Sequence, residues 1–165
     1  MVSESAFLEQ IRANQGIILK VVSLYAADAE EKKDLYQEIL LQCWKGWAQF
    51  RGDSKFSTWL YRISLNTVLT SMRKKTKLVY QDELPETAEP VTNHIEQEDS
   101  QALQTAIRQL TDTDRAIILL HLEGYSNPEI AEWLGVSSNG IAVKLYRIRQ
   151  RLAALLKAPD HERTS

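Results

Sequence analysis

Helical periodicity runs through almost the whole of this chain, and it constrains the fold more than any other feature of the sequence. Apolar residues recur at intervals of three and four, whereas no stretch of useful length alternates as a strand does. Six glycines and four prolines in 165 residues also argue against a loop-rich or all-β protein. The pattern predicts an all-α fold with helices at Ser5–Ala26, Lys32–Phe50, Ser57–Lys75, Asp99–Leu110, Asp112–Glu123, Asn127–Leu134 and Ser138–Leu156.

The near-neutral net charge of −2 conceals a division along the chain. Residues 1–80 carry twelve Lys and Arg against eight Asp and Glu, whereas residues 81–101 carry seven acidic residues and no Lys or Arg. Pro85, Pro90 and the uniform charge make this middle segment typical of a flexible linker. We therefore predict two small helical domains, residues 1–78 and 102–158, with an acidic linker at 79–101 and a tail at 159–165. Such a linker is usually just solvated, although it could cover a basic surface until a partner displaces it.

Composition excludes several other classes of protein. A single cysteine rules out an internal disulfide framework and fits a reducing compartment. No apolar run approaches the roughly 20 residues that span a bilayer, and the N-terminus lacks a signal-peptide pattern. His94, His121 and His161 are scattered, and Cys43 lies on an apolar stripe, so neither a metal centre nor thiol chemistry is indicated. The sequence predicts a soluble, cytoplasmic protein that needs no cofactor.

The segment 51–77 indicates what the first half of the chain does. Read as a helix, it has one largely apolar side and an opposite side on which an aromatic residue lies among guanidinium groups and an amide. Such a surface suits unstacked bases and phosphates. The alternative is a core helix whose basic side is solvated and whose Trp packs on a neighbour. The polar side and the cationic run that follows it consist of Trp59, Arg62, Asn66, Thr70, Arg73, Lys74, Lys75 and Lys77.

The second half contains a helix-turn-helix pattern. Ser126 and Glu129 form a capping box ahead of a short helix. Gly135 makes the following turn, and Ser137 caps the last helix, which has no acidic residue from Ala142 to Leu156. The spacing, the caps and the charge predict a recognition helix that binds DNA. An ordinary helical hairpin with a basic outer face is the alternative.

The chain resembles bacterial RNA polymerase sigma factors of the extracytoplasmic-function group of the sigma-70 family in two segments, DLYQEILLQCWKGWAQFRGDSKFSTWLYRISLNTVL and LTDTDRAIILLHLEGYSNPEIAEWLGVSSNGIAVKLYRIRQRL. The similarity covers nearly the whole chain, from about residue 7 to residue 156, and the two motifs have the right order and distance. It implies that residues 1–78 correspond to sigma region 2 and residues 102–158 to sigma region 4. It also implies a factor that binds core RNA polymerase, directs it to specific promoters and helps to open the DNA.

The resemblance assigns roles to matching positions. In the family, the DLxQE-type helix docks on the clamp helices of the largest polymerase subunit, the polymerase flap is a further partner, and a position that Asn66 matches contacts a flipped base of the −10 element. Here the helix Lys32–Phe50 has Leu41 on its far side among Asp34, Glu38 and Lys45, a modest indication of docking by itself. The implied polymerase-binding residues are Asp34, Gln37, Glu38 and Leu41. The implied −10 contacts are Arg51, Phe56, Trp59, Tyr61, Arg62, Asn66, Arg73 and Lys74, and the implied −35 contacts are Asn139, Val143, Lys144, Tyr146, Arg147 and Arg151.

The predicted recognition helix departs from the family pattern at its start. Asn139-Gly140 stands where Gly-Thr is common, and Ala142-Val143 stands where Arg and Ser are frequent. Val143 offers only apolar contact, such as to a thymine methyl group, whereas Arg147 can pair with guanine. We expect this half to recognise an unusual element, or to rely on phosphates and DNA shape.

Two other classes of protein remain open on the sequence. A helix-turn-helix regulator that binds operators without joining polymerase would leave the surface of Trp59 and Asn66 without a purpose. A recombinase can carry a similar C-terminal helix-turn-helix, but no cluster of catalytic residues is apparent here. Co-purification with core RNA polymerase distinguishes these classes. An anti-sigma factor is a further partner that the resemblance makes possible.

Overall fold

The computed structural model describes the backbone of residues 3–81 and 98–164 and the side chains of residues 3–75 and 101–157. Within those ranges all regular secondary structure is helical, so the prediction of an all-α fold is confirmed. The chain divides into an N-terminal unit and a C-terminal unit, with the boundary between Thr92 and Asn93. The helices are α1 (Glu4–Tyr25), α2 (Ala29–Trp47), α3 (Phe56–Gln81), α4 (Glu98–Arg108), α5 (Asp112–Leu122), α6 (Asn127–Leu134) and α7 (Ser138–Thr164).

The helix bounds differ from the prediction mainly at three places. α3 continues to Gln81 and α7 to Thr164, so the first residues of the predicted linker and most of the predicted tail are helical. The body of the predicted linker, residues 82–97, lies outside the described residues. α2 begins earlier than predicted, because the Asp28 side chain accepts a hydrogen bond from the backbone N–H of Glu31 at 2.8 Å and acts as the N-cap.

The core of the N-terminal unit lies where α1, α2 and α3 meet, since each helix contacts the other two. Asp28 and Glu31 fix the start of α2, because the Glu31 carboxylate also accepts from the backbone N–H of Ala27 at 2.6 Å. At the other end of α2, the Trp47 indole N–H donates to the backbone carbonyl of Ser3 at 3.3 Å. The largest fully buried apolar side chains are Ile18, Val21, Val22, Ile39, Cys43, Leu60 and Val68.

The core of the C-terminal unit is built from one stripe of α7 and the inner faces of α4, α5 and α6. The buried stripe of α7 follows the predicted spacing of three and four residues, as expected for a helix that packs on one side. Burial of each such leucine or isoleucine contributes about 1.5–3 kcal/mol. Its members are Ile141, Leu145, Ile148 and Leu152. Along the described residues, no helix has both the length and the apolar character to cross a bilayer.

Candidate nucleic-acid interface

The helices α2 and α3 run in opposite directions and lie against each other. The Lys75 ammonium of α3 is 3.0 Å from the Glu31 carboxylate near the start of α2. At the other end of α2, Gly46 lies close to the side chains of Trp59 and Ile63. A Cβ added to Gly46 would be 3.4 Å from the Trp59 ring, so the small residue lets the indole approach α2. The Trp59 side chain is therefore positioned by packing between helices.

An aromatic cluster holds the start of α3. Trp59 contacts the rings of Phe50 and Phe56, with centroids 5.0 and 5.3 Å away, and Trp47 at 6.3 Å. Trp47 also contacts Phe7 of α1 at 5.5 Å. The sequence predicted an exposed Trp59 beside the basic groups, but the side chain is half-buried. Most of the Trp59 ring therefore packs on neighbouring side chains, as the alternative interpretation of this helix expected.

Two of the predicted −10 contacts are buried in this structure. Phe56 is buried in the aromatic cluster, and Tyr61 is buried on the core side of α3 together with Leu60 and Leu65. Both rings therefore contribute to packing here, and their proposed contact with a base stays a prediction. Exposed members of the set are Arg51, Arg62, Asn66, Arg73 and Lys74.

The exposed polar side of α3 continues into an open groove of about 580 Å³ between α2 and α3. Asn66, Thr70 and Lys74 line the α3 wall, and Asp34 and Glu38 line the α2 wall. The groove therefore places an amide, a hydroxyl and an ammonium opposite two carboxylates. Lys75 does not add to this basic wall, because it pairs with Glu31, and the side chain of Lys77 lies outside the described part.

The outer face of α2 carries the predicted polymerase-binding residues. Asp34, Gln37, Glu38 and Leu41 are all exposed, and Leu41 keeps 45% of its surface. Sequence reasoning missed Trp44, which is 48% exposed although its ring also contacts Phe7 at 5.2 Å. Its position three residues after Leu41 was the available signal, because that spacing places both side chains on one face. We call Asp34, Gln37, Glu38, Leu41 and Trp44 the α2 docking surface.

The predicted helix-turn-helix is present in the C-terminal unit as α6, a tight turn and α7. The Ser126 hydroxyl accepts from the Glu129 N–H at 3.3 Å, and the Glu129 carboxylate accepts from the Ser126 N–H at 2.8 Å. This backbone hydrogen bond is the main cause that lowers the pKa of Glu129. Gly135 ends α6 with a φ of +72°, a left-handed conformation that strains other residues. Ser137 then caps α7 by accepting from the Gly140 N–H at 2.9 Å.

The predicted −35 contacts lie together on one side of α7. All six are exposed, and the Tyr146 hydroxyl accepts a hydrogen bond from the Gln150 side chain at 3.1 Å. Sequence reasoning missed the contact between Arg149 and His121, in which the guanidinium donates to the ring Nε2 at 2.7 Å and joins α7 to α5. The six exposed residues are Asn139, Val143, Lys144, Tyr146, Arg147 and Arg151.

Comparison with known proteins assigns a family region to each of the two units. Residues 10–78 match the family model described as Sigma-70 region 2, and residues 100–152 match the one described as Sigma-70, region 4. The chain is 29% identical over 153 residues to the ECF RNA polymerase sigma factor SigM of Mycobacterium tuberculosis, covering 92% of this chain and 77% of that protein. It is 25% identical to SigW of Bacillus subtilis, covering 93% and 90%.

A solved structure gives the same result. The sigma factor RpoE of Bartonella quintana, determined in complex with the anti-sigma factor NepR, superposes with a TM-score of 0.77 at 25% identity. The match covers 93% of this chain and 98% of that chain. The two family regions occur in order and coincide with the two units that carry the exposed basic surfaces. The chain belongs to the extracytoplasmic-function group of sigma-70 factors, the proteins that bring RNA polymerase to promoters and start transcription.

Proposed function

We propose that this sigma factor joins core RNA polymerase through the α2 docking surface and contacts promoter DNA through the exposed sides of α3 and α7. The observation that carries the proposal is the groove in which Asp34 and Glu38 face Asn66. A single pair of helices thereby offers a surface for each partner. The chain acts by binding, and its place of action is the cytoplasm, where the polymerase works.

The α2 docking surface has the composition of a protein interface. Two large apolar side chains, Leu41 and Trp44, are exposed beside the carboxylates of Asp34 and Glu38. Trp is enriched among the residues that contribute most to binding, and charges at the rim favour the approach of a partner of opposite sign. A surface of this chemistry suits a partner with basic side chains around an apolar centre. We propose that this partner is the pair of clamp helices of the polymerase.

The exposed side of α3 fits the non-template strand of the −10 element after it has left the duplex. The Asn66 side chain offers a donor and an acceptor at the groove, as needed to bind the edge of an extruded base. Arg62, Arg73 and Lys74 lie on the same exposed side for phosphates. Unstacking costs a few kcal/mol, and each captured base returns about 1–3 kcal/mol. Several contacts of this kind therefore offset strand opening without an ATPase.

In the C-terminal unit, we propose that α7 binds duplex DNA at the −35 element. Arg147 is exposed on the same side as Asn139, so one can pair with guanine and the other with adenine. Lys144 and Arg151 flank them and suit phosphate contacts, which fix position without reading bases. The polymerase flap and an anti-sigma factor are further proposed partners; the Bartonella relative was determined with an anti-sigma factor bound.

The test of this proposal is binding to core RNA polymerase by the full-length chain and two variants. Leu41→Arg is expected to weaken binding at least about tenfold, because it removes an apolar anchor and buries a charge. Leu19→Arg on α1 is the matched control, since Leu19 is 44% exposed and Leu41 is 45% exposed. The melting temperature of each variant is measured alongside.

Wild-type affinity for Leu41→Arg at an unchanged melting temperature would rule out the α2 docking surface. Failure of the unmodified chain to bind core polymerase at all would rule out the proposal as a whole. That second result would favour a helix-turn-helix regulator that binds DNA alone.

A further inference from the structure

We infer that Val143 recognises the methyl group of a thymine in the major groove of the upstream promoter element, an inference that rests on the proposed function. Val143 is 44% exposed although it is apolar, and it lies in the second turn of α7, as the sixth residue after the Ser137 cap. The larger apolar residues of α7 on either side of it in the sequence, Ile141 and Leu145, are buried in the core of the unit. An apolar side chain thus occupies the surface on which the DNA contacts are proposed.

The position of Val143 on that surface is central. Asn139 precedes it by four residues and Arg147 follows it by four, so the three side chains lie on one face of the helix. Four residues advance the helix axis by about 6 Å, so Val143 lies midway between the other two side chains. If Asn139 and Arg147 both meet base edges in the major groove, the Val143 side chain between them faces base edges as well.

The chemistry of the major groove then selects the base. Adenine, guanine and cytosine present hydrogen-bonding groups there, whereas thymine adds an apolar methyl group. Valine has no donor or acceptor, so pressing it on a polar edge removes water without replacing its hydrogen bonds. Against a thymine methyl group, the same contact buries apolar surface on both sides. Thymine is therefore the base that Val143 favours.

Two of the neighbours of Val143 are small. Gly140, three residues before it, and Ala142, immediately before it, add little bulk, whereas the exposed Tyr146 lies three residues after it. A Cβ added at Gly140 would lie 3.0 Å from the Ser137 hydroxyl oxygen, so a larger residue there would crowd the cap. With no acidic residue from 142 to 156, nothing on this stretch repels the phosphates. Among the four residues that depart from the family pattern, Val143 is therefore the one suited to read a methyl group.

Reliance on phosphates and DNA shape is the competing account of the same surface. It places no requirement on the base opposite Val143. The two accounts therefore differ in a single measurable property, the response to the 5-methyl group of one thymine.

The experiment uses the full-length chain bound to core RNA polymerase and a library of duplexes randomised across the upstream element. We expect thymine to be enriched at one position. Replacing that thymine with deoxyuridine removes only the methyl group and is expected to lower affinity about fourfold. Val143→Ala, which lacks both γ-methyl groups and suits a helix at least as well, should show a smaller difference between the two duplexes. Arg147→Ala is the control, and it should lose a guanine preference while keeping the fourfold difference.

Absence of a thymine preference, or a deoxyuridine effect that is the same in Val143→Ala as in the unmodified chain, would overturn the inference. A polymerase complex with no sequence preference in the upstream region would instead contradict the proposed function of α7. The two failures are therefore distinguishable in one experiment.

Discussion

The indole of Trp59 lies against the ring of Phe50, with centroids 5.0 Å apart and ring planes at 47°. Phe50 comes from the segment between α2 and α3, so this contact fastens the connecting segment onto the helix that follows it. The same indole touches Phe56 and Trp47. Trp59 therefore has a structural task at the point where the sequence suggested a contact with DNA.

Replacing Trp59 should consequently destabilise the N-terminal unit. Trp59→Ala removes a half-buried ring and three aromatic contacts, and the expected loss is about 2 kcal/mol in the free energy of unfolding. Trp59→Phe keeps a ring against Phe50 and should lose less. Urea denaturation followed by circular dichroism measures both. Unchanged stability in Trp59→Ala would contradict the packing described for the aromatic cluster.

Asn66 offers the cleaner test of strand opening. Its side chain is exposed mid-helix, where alanine is the better helix former, so Asn66→Ala should fold normally. The loss of one base contact should reduce the open complex about tenfold. The polymerase complex should still shift duplex promoter DNA while permanganate reactivity of thymines at the start site falls. Gln109→Ala, which removes an exposed amide from the C-terminal unit, serves as the control. Normal reactivity in Asn66→Ala would remove Asn66 from the proposed mechanism.

Burial makes Cys43 unreactive and gives stability a dependence on alkaline pH. Burial raises the pKa of the Cys43 thiol to about 12. The folded chain should therefore resist alkylation at pH 8 and react only when unfolded. Between about pH 9 and pH 11 the unfolded state releases the thiol proton and the folded state keeps it. Stability should then fall by roughly 1.4 kcal/mol per pH unit from this group.

The comparison with Cys43→Ala isolates that contribution, because other groups titrate in the same range in both proteins. The difference in unfolding free energy between the two proteins should shrink as the pH rises. Rapid alkylation of the folded protein at pH 8, or a difference that is independent of pH, would contradict the burial of the thiol.

The capping box at the start of α6 predicts an acid-sensitive contribution in the C-terminal unit. Its hydrogen bonds lower the pKa of Glu129, so their stabilisation is present above the ordinary carboxyl pKa and is lost as the pH falls through the lowered value. Glu129→Gln keeps an acceptor but no charge, and its stability should vary less with acid pH. Ser126→Ala should lose about 1 kcal/mol at neutral pH. Thermal unfolding between pH 3 and pH 7 measures both, and identical profiles for Glu129→Gln and the unmodified chain would contradict the assignment.

Local signals in the sequence were sufficient for much of the fold. The Ser126 and Glu129 pair, the turn at Gly135 and the cap at Ser137 depend only on neighbours in the chain, and each is confirmed. Helical spacing also indicates which residues of α7 share a face, and of the stripe Ile141, Leu145, Ile148, Leu152 and Leu155 that it predicts, the first four are buried and Leu155 is half-buried. Asp28 was overlooked, although an Asp followed three residues later by Glu31 is the same kind of start signal.

The side chains near the aromatic cluster were harder to predict, for a physical reason. Periodicity predicts which side of its own helix Trp59 lies on. It does not predict that Phe50, from the segment after Trp47, packs against the Trp59 ring. Phe56 is buried by the same rings. Tyr61 is buried on the apolar side of α3, whereas the resemblance matches it to a DNA-contacting position. Long-range packing therefore decided the positions at which pattern and resemblance disagreed.

The groove between α2 and α3 has a thermodynamic consequence if Glu38 binds the polymerase and Asn66 binds promoter DNA. The two walls belong to one cavity, so occupation of either wall changes the charges and the water that the other ligand meets. Coupling free energies between two ligands are reciprocal. Bound polymerase then raises the affinity of the sigma factor for the opened strand by some factor. The bound strand must raise the affinity of the sigma factor for polymerase by the same factor. Release from polymerase should accordingly become easier once the strand has left the groove.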